Sequence, residues 1–112
     1  MRLKGERVSS DIQKELSNIL LFEAKDEDFK NVTITDVEAT NDLSFAKIYF
    51  TTLDEDRDHV LKDLNNACGY FRSLLADRLE IRHIPELRFY YDESIEYGQK
   101  IEKILEEINK ED

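Results

Sequence analysis

The sequence predicts an α+β domain, and three observations carry that prediction. Apolar residues recur at spacings of three and four in the first quarter of the chain and again past its middle, as they do on one face of a helix. Two runs between these stretches are rich in β-branched and aromatic residues, which favour strands. A further run near residue 90 alternates apolar and polar residues. Strands and helices mixed in one short chain are typical of the α+β class.

Length and composition indicate one domain with one modest core. The chain has 112 residues, of which 40% are hydrophobic and 38% are charged. No apolar run reaches the ~20 residues needed to span a bilayer, and the start of the chain lacks the apolar stretch of a secretion signal. Because a single cysteine forms no internal disulfide, we expect a cytoplasmic protein. We also expect a monomer. Residues 1–112 are expected to form a single domain, with a core of about 7–92 and a helical extension of about 94–112.

The first predicted element is an amphipathic helix. Its apolar residues fall at helical spacing and are Val8, Ile12, Leu16, Ile19 and Leu20. Ser9 or Ser10 is a candidate cap, and an acidic residue in the first turn, Asp11, suits the helix dipole.

A β-hairpin is predicted next, from strands 32–39 and 43–51. The segment Thr40–Asp42 between them suits a turn. Residues that share one face of the second strand and are expected to pack on the helices are Ala46, Ile48 and Phe50. The apolar parity of the first strand switches between Ile34 and Val37, which indicates a bulge near Asp36.

Two further helices are predicted to meet at a glycine. The second helix opens with the acidic run 54–56, and the third ends near Arg82, before Pro85. Gly69 interrupts an otherwise continuous helical pattern. We expect it either to adopt a positive φ or to permit a close backbone approach, since glycine in a helix costs about 1 kcal/mol relative to alanine. The predicted kink is formed by Ala67, Cys68 and Gly69. Two helices joined in this way behind a hairpin indicate the KH plan of nucleic-acid binding.

The chain is predicted to end with a strand and a helix. In the strand, Leu87, Phe89 and Tyr91 alternate with polar residues. Ser94 is a candidate cap for a last helix, whose apolar residues are Ile101, Ile104, Leu105 and Ile108. The predicted order is therefore α-β-β-α-kink-α-β, with an additional C-terminal helix.

Nothing in the sequence indicates catalysis, a cofactor or a metal site. His59 and His83 have no partner at metal-ligand spacing. The acidic run 54–58 lacks the spacing of a calcium loop and reads better as a solvated helix start. Cys68 is interpreted as a small residue at a helix crossing rather than as a reactive thiol. We therefore expect a protein that is not an enzyme.

The charge distribution makes RNA a candidate partner despite a net charge of −10. Basic groups gather in the first fourteen residues and in residues 66–91, so one local face is expected to bind phosphate, with weak affinity for nonspecific polyanions. The predicted RNA-binding residues are Arg2, Lys4, Arg7, Lys14, Arg72, Arg78, Arg82 and Arg88. Arginine suits phosphate because its planar fork donates two parallel hydrogen bonds. The alternative is that Arg82 and Arg88 form surface ion pairs with nearby acidic residues.

Three aromatic residues on the strands have two interpretations. Phe45, Tyr49 and Tyr90 could stack on bases, as aromatic side chains do in single-stranded nucleic-acid binding. The other interpretation is that they form cross-strand pairs or pack under a helix.

Several motifs in the same order resemble one bacterial family. They are Arg7-Val8, Val32–Glu38, Asn41–Tyr49, Ala67–Ala76, Leu79 with Arg82, Pro85–Phe89 and Asp92–Gly98. Together they resemble ribosome-binding factor A, over nearly the whole chain from about residue 7 to about residue 104. The resemblance implies a KH fold of the type II order, with an Ala-x-Gly kink in place of the glycine loop.

The same resemblance implies the function. It predicts binding to free or immature small (30S) ribosomal subunits and assistance in late maturation of 16S rRNA, with a link to growth in the cold. It implies no catalytic residue and no cofactor, and it allows contact with ribosomal proteins. The alternative is a protein-interaction module that docks on ribosomal proteins or on a maturation GTPase with little RNA contact.

Overall fold

The computed structural model describes residues 4–23, 29–81 and 83–94. Its elements, in chain order, are α1 (Lys4–Asn18), a π-helical turn (Ile19–Glu23), β1 (Val32–Ala39), β2 (Phe45–Thr52), α2 (Arg57–Asn66), α3 (Cys68–Arg78) and β3 (Glu86–Tyr91). The strands form one sheet in the order β1-β2-β3, in which β1 is antiparallel and β3 is parallel to β2. The α+β prediction is confirmed. The predicted C-terminal helix, about 94–112, lies almost entirely outside the described residues.

The hairpin and its bulge are as predicted. β1 pairs with β2 along its whole length, and the pairing register shifts by one residue between Ile34 and Asp36. Thr35 is the extra residue on β1, and its hydroxyl donates a hydrogen bond to Asp92 Oδ2 at 2.6 Å. The bulge places Ile34 and Val37 on the same face of the sheet, where both are buried.

One face of the sheet carries the core. Ala46, Ile48 and Phe50 are fully buried, as predicted, and Phe89 joins them from β3. The helices contribute the other half of the core, with the buried residues Val8, Ile12, Leu16, Val60, Leu64, Phe71 and Leu75. All three described helices therefore pack on the same face of the sheet.

A single carboxylate organises the turn between β1 and β2. Asp42 accepts hydrogen bonds from the Thr40 hydroxyl at 2.7 Å and from the Ser44 main-chain N–H and hydroxyl at 3.0 and 2.8 Å. These bonds, the Thr40 hydroxyl first, lower the pKa of Asp42 from 3.8 to about 2. The turn also places Leu43 at φ 60° with its side chain buried.

The third helix ends earlier than predicted. α3 stops at Arg78 instead of near Arg82, because Leu79 adopts an extended conformation (φ −103°, ψ 133°). The extended segment lets Leu79 pack against the core and brings Ile84 into it. Burial of these apolar side chains outweighs the helical propensity of the segment.

The structural explanation predicted for Gly69 is wrong. None of the glycines that the structure describes has a positive φ, and a Cβ at Gly69 would meet nothing within 4 Å. The break between α2 and α3 lies at Ala67, which caps the end of one helix and the start of the other at φ −91° and ψ 4°. Any residue can adopt that conformation, so the bend does not require glycine.

Of the two glycines within the described ranges, Gly5 is the one that the fold requires. A Cβ there would lie 2.8 Å from Ala39 O and 2.8 Å from Asn41 Oδ1, since α1 begins against the turn between the strands. The predicted cap at Ser9 or Ser10 is wrong, because α1 begins at Lys4 and both serines lie inside it. Ser9, one helical turn after Gly5, instead fixes this contact. Its hydroxyl donates to Gly5 O at 2.6 Å and accepts from the Ala39 N–H at 2.8 Å.

We predict that Gly5→Ala destabilises the protein whereas Gly69→Ala does not. The Gly5 variant pushes a methyl group into main-chain atoms, and the net cost after the gain in helix propensity is about 1–2 kcal/mol. The Gly69 variant gains helix propensity without a clash, by up to about 1 kcal/mol. Urea unfolding of both variants measures the difference. Equal stability of the two proteins would contradict the close approach at Gly5.

The lowered pKa of Asp42 predicts a loss of stability in acid. The folded pKa lies below the ordinary value, so the contribution is present above about pH 4 and is lost as the pH falls towards 2. Asp42→Asn is the control, because it resembles the protonated carboxyl at every pH. The difference in unfolding free energy between wild type and this variant should shrink between pH 4 and pH 2. A constant difference would contradict the predicted titration.

Candidate nucleic-acid interface

The joint between α2 and α3 is a sharp break made by the main chain. The Ala67 N–H donates to Asp63 O and Leu64 O, both at 3.1 Å, and completes α2. Ala67 O in turn accepts the Phe71 N–H at 3.0 Å, which begins α3. The predicted break is therefore present. Beside it lies the first turn of α3, where exposed Gly69 presents a helix surface without a side chain.

Asn65, just before the joint, is bound to the free edge of the sheet. Its Oδ1 accepts the Phe89 N–H at 2.9 Å, and its Nδ2 donates to Phe89 O at 3.5 Å. Main-chain groups of alternate residues in a strand point to the same side, so the main chain of Leu87 faces this edge too. Asn65 thus fixes the distance between the joint and β3. The sequence offered no specific signal for this contact.

A groove of about 540 Å³ runs between the joint and the edge of β3. The residues that line it are Phe45, Asn65, Cys68, Gly69, Arg72, Glu86, Leu87 and Arg88. It combines main-chain groups of a strand edge, a bare helix turn and two guanidinium groups. Such a groove can accept a chain of phosphates on its basic side and hydrogen-bond bases or sugars at the strand edge.

The thiol in this groove is not poised to react. Cys68 is partly buried, and its Sγ lies 3.6 Å from Leu64 O, to which it donates. Burial raises the pKa of the thiol to about 11, against the opposing effect of the Arg72 and Arg88 charges. The thiolate is therefore scarce at neutral pH. The interpretation of Cys68 as a small residue at a helix junction agrees with this environment.

The two arginines of the groove differ in how they are held. Arg72 is partly buried, and its Nη2 donates to Ile84 O at 3.1 Å. Its Nε is buried and has no hydrogen-bond partner among the described residues. Arg88 is exposed on β3, next to Lys47 on β2. Arg72 therefore also supports the segment that leads into β3, whereas Arg88 is available to a ligand.

Arg78 has a different role from the one its sequence position suggested. Its guanidinium forms ion pairs with Glu15, at 3.3 Å, and with Glu23. The three side chains are only partly exposed. Arg78 thus ties the end of α3 to α1 and to the π-helical turn, and a charge reversal there would bring three carboxylates together.

The basic residues of α1 lie apart from the groove. Arg7 and Lys14 are exposed, and the seven-residue spacing puts them on one side of α1 with Asp11 between them. Arg7 lines a second groove, of about 310 Å³, with Leu79 and Ile81. Arg2 and Arg82 and the side chain of Lys4 lie outside the described residues. Of the eight predicted residues, the structure brings Arg72 and Arg88 into one groove.

Other kinds of site find no support in the described part of the chain. Within residues 4–23, 29–81 and 83–94, His, Cys, Asp and Glu side chains do not converge in the threes or more that could hold a metal ion. None of the helices in these ranges combines the length and the apolar character needed to cross a membrane.

Comparison with solved structures relates the fold to known ribosome-binding factors. Crystalline ribosome-binding factor A from Thermus thermophilus matches with a TM-score of 0.70 at 21% identity, covering 78% of this chain and 94% of that one. A Thermotoga maritima protein with a provisional assignment to ribosome binding factor A matches with a TM-score of 0.65 at 33% identity, covering 76% and 83%. A Thermus thermophilus model fitted into the map of a 30S complex matches with a TM-score of 0.58 at 23% identity, covering 74% and 93%.

Sequence comparison is more specific. Ribosome-binding factor A of Staphylococcus carnosus is 44% identical over 99% of this chain and 98% of its own length. The protein of the same description from Staphylococcus epidermidis is 46% identical over 98% and 97%. The model of the family described as ribosome-binding factor A matches residues 4–105. This chain therefore belongs to the ribosome-binding factor A family.

Proposed function

We propose that this protein binds free and immature small (30S) ribosomal subunits and assists late maturation of 16S rRNA without catalysing a reaction. The observation that carries the proposal is the groove between the α2–α3 joint and the edge of β3, with Arg72 and Arg88 beside the bare turn at Gly69. Family membership supports it. So does the similar Thermus thermophilus protein, whose coordinates were fitted to a 30S complex.

The proposed mechanism is positional. Phosphates of rRNA lie along Arg88 and the first turn of α3, where the N-terminal end of the helix favours negative charge. The absence of a side chain at Gly69 lets the nucleic-acid backbone approach the helix closely. The fold then corresponds to a KH domain of the type II order with the kink in place of a glycine loop. The chain acts as a single cytoplasmic domain of residues 1–112 and as a monomer.

Affinity in this mechanism depends on few phosphate contacts. The chain carries a net charge of −10, which repels RNA at a distance and leaves only a correctly shaped segment able to bind. In the alternative, a module that docks on ribosomal proteins or a maturation GTPase, the acidic surface itself binds the partner protein. Exposed Asp36 and Glu38 on β1 favour a basic protein partner. Cross-linking within the bound subunit distinguishes rRNA binding from docking on a protein, since only rRNA binding yields rRNA cross-links at the groove.

Arg88→Ala is predicted to weaken binding to purified small subunits about tenfold, because it removes a charge-assisted phosphate contact. The slope of log affinity against log salt should fall by about 0.7–0.9. Arg78→Ala is the matched control. It should lower the unfolding free energy by up to about 1 kcal/mol and leave the affinity unchanged. If Arg78→Ala weakens binding as much as Arg88→Ala does, the assignment to the groove is wrong.

A preference for free subunits is also predicted. A maturation factor has to leave before the subunits join, so the protein should sediment with free small subunits and not with assembled ribosomes. Sucrose-gradient sedimentation with each particle, followed by detection of the protein in the fractions, measures this. Equal amounts on both particles would argue against a role in maturation.

A further inference from the structure

The outer face of the sheet, opposite the core, is aromatic and basic along two strands. Residues of β2 and β3 that alternate with the core residues point to this face. They are Phe45, Lys47 and Tyr49 on β2, and Glu86, Arg88 and Tyr90 on β3. The described helices all pack on the other face. The three aromatic rings are partly exposed, and the two basic residues are exposed.

Two tyrosines on this face lie side by side. Tyr49 and Tyr90 are partners in the parallel register of β2 and β3. Their ring centroids are 5.9 Å apart, and the ring planes are inclined by 34°. The rings are tilted against each other but adjacent, so together they form one aromatic patch on the exposed face. The Lys47 ammonium lies 6.0 Å from the centroid of Tyr90, at the limit of a cation–π contact.

The basic residues are placed one step along from the rings. Lys47 and Arg88 are partners in the same register, two residues and therefore about 6.6 Å before the tyrosine pair. Two acidic residues of the face lie on β1, where Asp36 pairs with Tyr49 and Glu38 pairs with Lys47. A third, Glu86, pairs with Phe45 at the start of β3. The two basic residues thus lie between Glu86 and the tyrosine pair along β2 and β3.

This surface is continuous with the groove at the joint. Phe45 and Arg88 belong to the outer face and also line the groove. A nucleic-acid strand whose backbone lies in the groove therefore meets Arg88 and then the tyrosine pair as it leaves. A cross-strand tyrosine pair alone would be ordinary sheet stabilisation. Because this pair lies where the groove meets the outer face, its rings are also placed to contact a nucleic-acid strand that leaves the groove.

We propose that Tyr49 and Tyr90 form a stacking platform for unpaired bases of single-stranded RNA, with Lys47 and Arg88 on the adjoining phosphates. Stacking on aromatic side chains is how several RNA-binding sheets hold bases, and it works on single strands because paired bases hide their faces. This inference rests on the proposed function and specifies the kind of rRNA that is bound. The protein would bind an unpaired rRNA segment through its bases as well as through its phosphates.

The test compares the affinity of the full chain for purified small subunits with that of four variants. Tyr49→Leu and Tyr90→Leu should each weaken binding about fivefold or more. Tyr90→Phe keeps the ring and should bind as wild type does. The control Phe22→Leu removes an aromatic ring that is 81% exposed on the π-helical turn, away from the sheet, and should have no effect. The salt slope should stay unchanged in all four variants, because none alters a charge.

Ultraviolet cross-linking of the wild-type complex keeps the test valid if a leucine variant folds poorly. Peptides that contain β2 and β3 are expected to carry rRNA nucleotides. Leucine variants that bind normally, or wild-type cross-links that avoid both strands, overturn the platform. The groove then remains supported if Arg88→Ala still weakens binding. Failure of the wild type to bind small subunits at all would overturn the proposed function itself. A lower melting temperature with unchanged affinity would show that the tyrosine pair only stabilises the sheet and would also overturn the platform.

Discussion

The contact between Asn65 and the main chain of Phe89 fixes the position of the α2–α3 joint against the free edge of the sheet. A strand edge leaves N–H and C=O groups without partners, and a buried group in that state is costly. The Asn65 amide supplies both a donor and an acceptor to one residue of the edge. These two hydrogen bonds hold the joint beside β3. The groove lies next to them, where Leu87 contributes to its lining.

The acidity of the chain has a physical role in this arrangement. Phosphate contacts supply most of the affinity of nonspecific nucleic-acid binding, and a chain with a net charge of −10 opposes such binding. A net acidic chain then binds RNA only where a local basic surface also fits the shape of the RNA segment. In the proposed interface Lys47 and Arg88 lie on β2 and β3, whereas carboxylates lie on β1 and at Glu86. RNA bound as proposed would therefore lie along Lys47 and Arg88 and away from β1.

Sequence reasoning succeeded where the information is local and periodic. The bulge at Thr35 was readable because a one-residue shift reverses the parity of apolar positions. The break at Ala67 was located to within two residues, but its cause was misassigned. Glycine has several uses, and only the structure shows that Gly69 adopts an ordinary conformation with empty space around it.

Contacts between segments distant in the chain could not be predicted from the sequence. Gly5 lies against residues 39–41, more than thirty positions away, and two of the three atoms nearest to it belong to the main chain, which carries no sequence signal. The ion pairs of Arg78 with Glu15 and Glu23 join α3 to the first part of the chain. The RNA-binding roles of the eight predicted residues stay a prediction. Membership of the family, in contrast, was readable, because several motifs in fixed order identify a fold more securely than periodicity does.

The parallel pairing of β2 with β3 has a consequence for how the protein folds. Antiparallel strands can join through a short turn, as β1 and β2 do, but parallel strands require a crossover. Here the crossover contains both α2 and α3, so closing it has a substantial entropic cost before any pairing compensates. The hairpin should form early and β3 should be added late. The groove and the aromatic face both require β3, so binding competence should arrive only with the final step of folding. Under the proposed function, a nascent or partly unfolded chain would then be unable to bind a small ribosomal subunit.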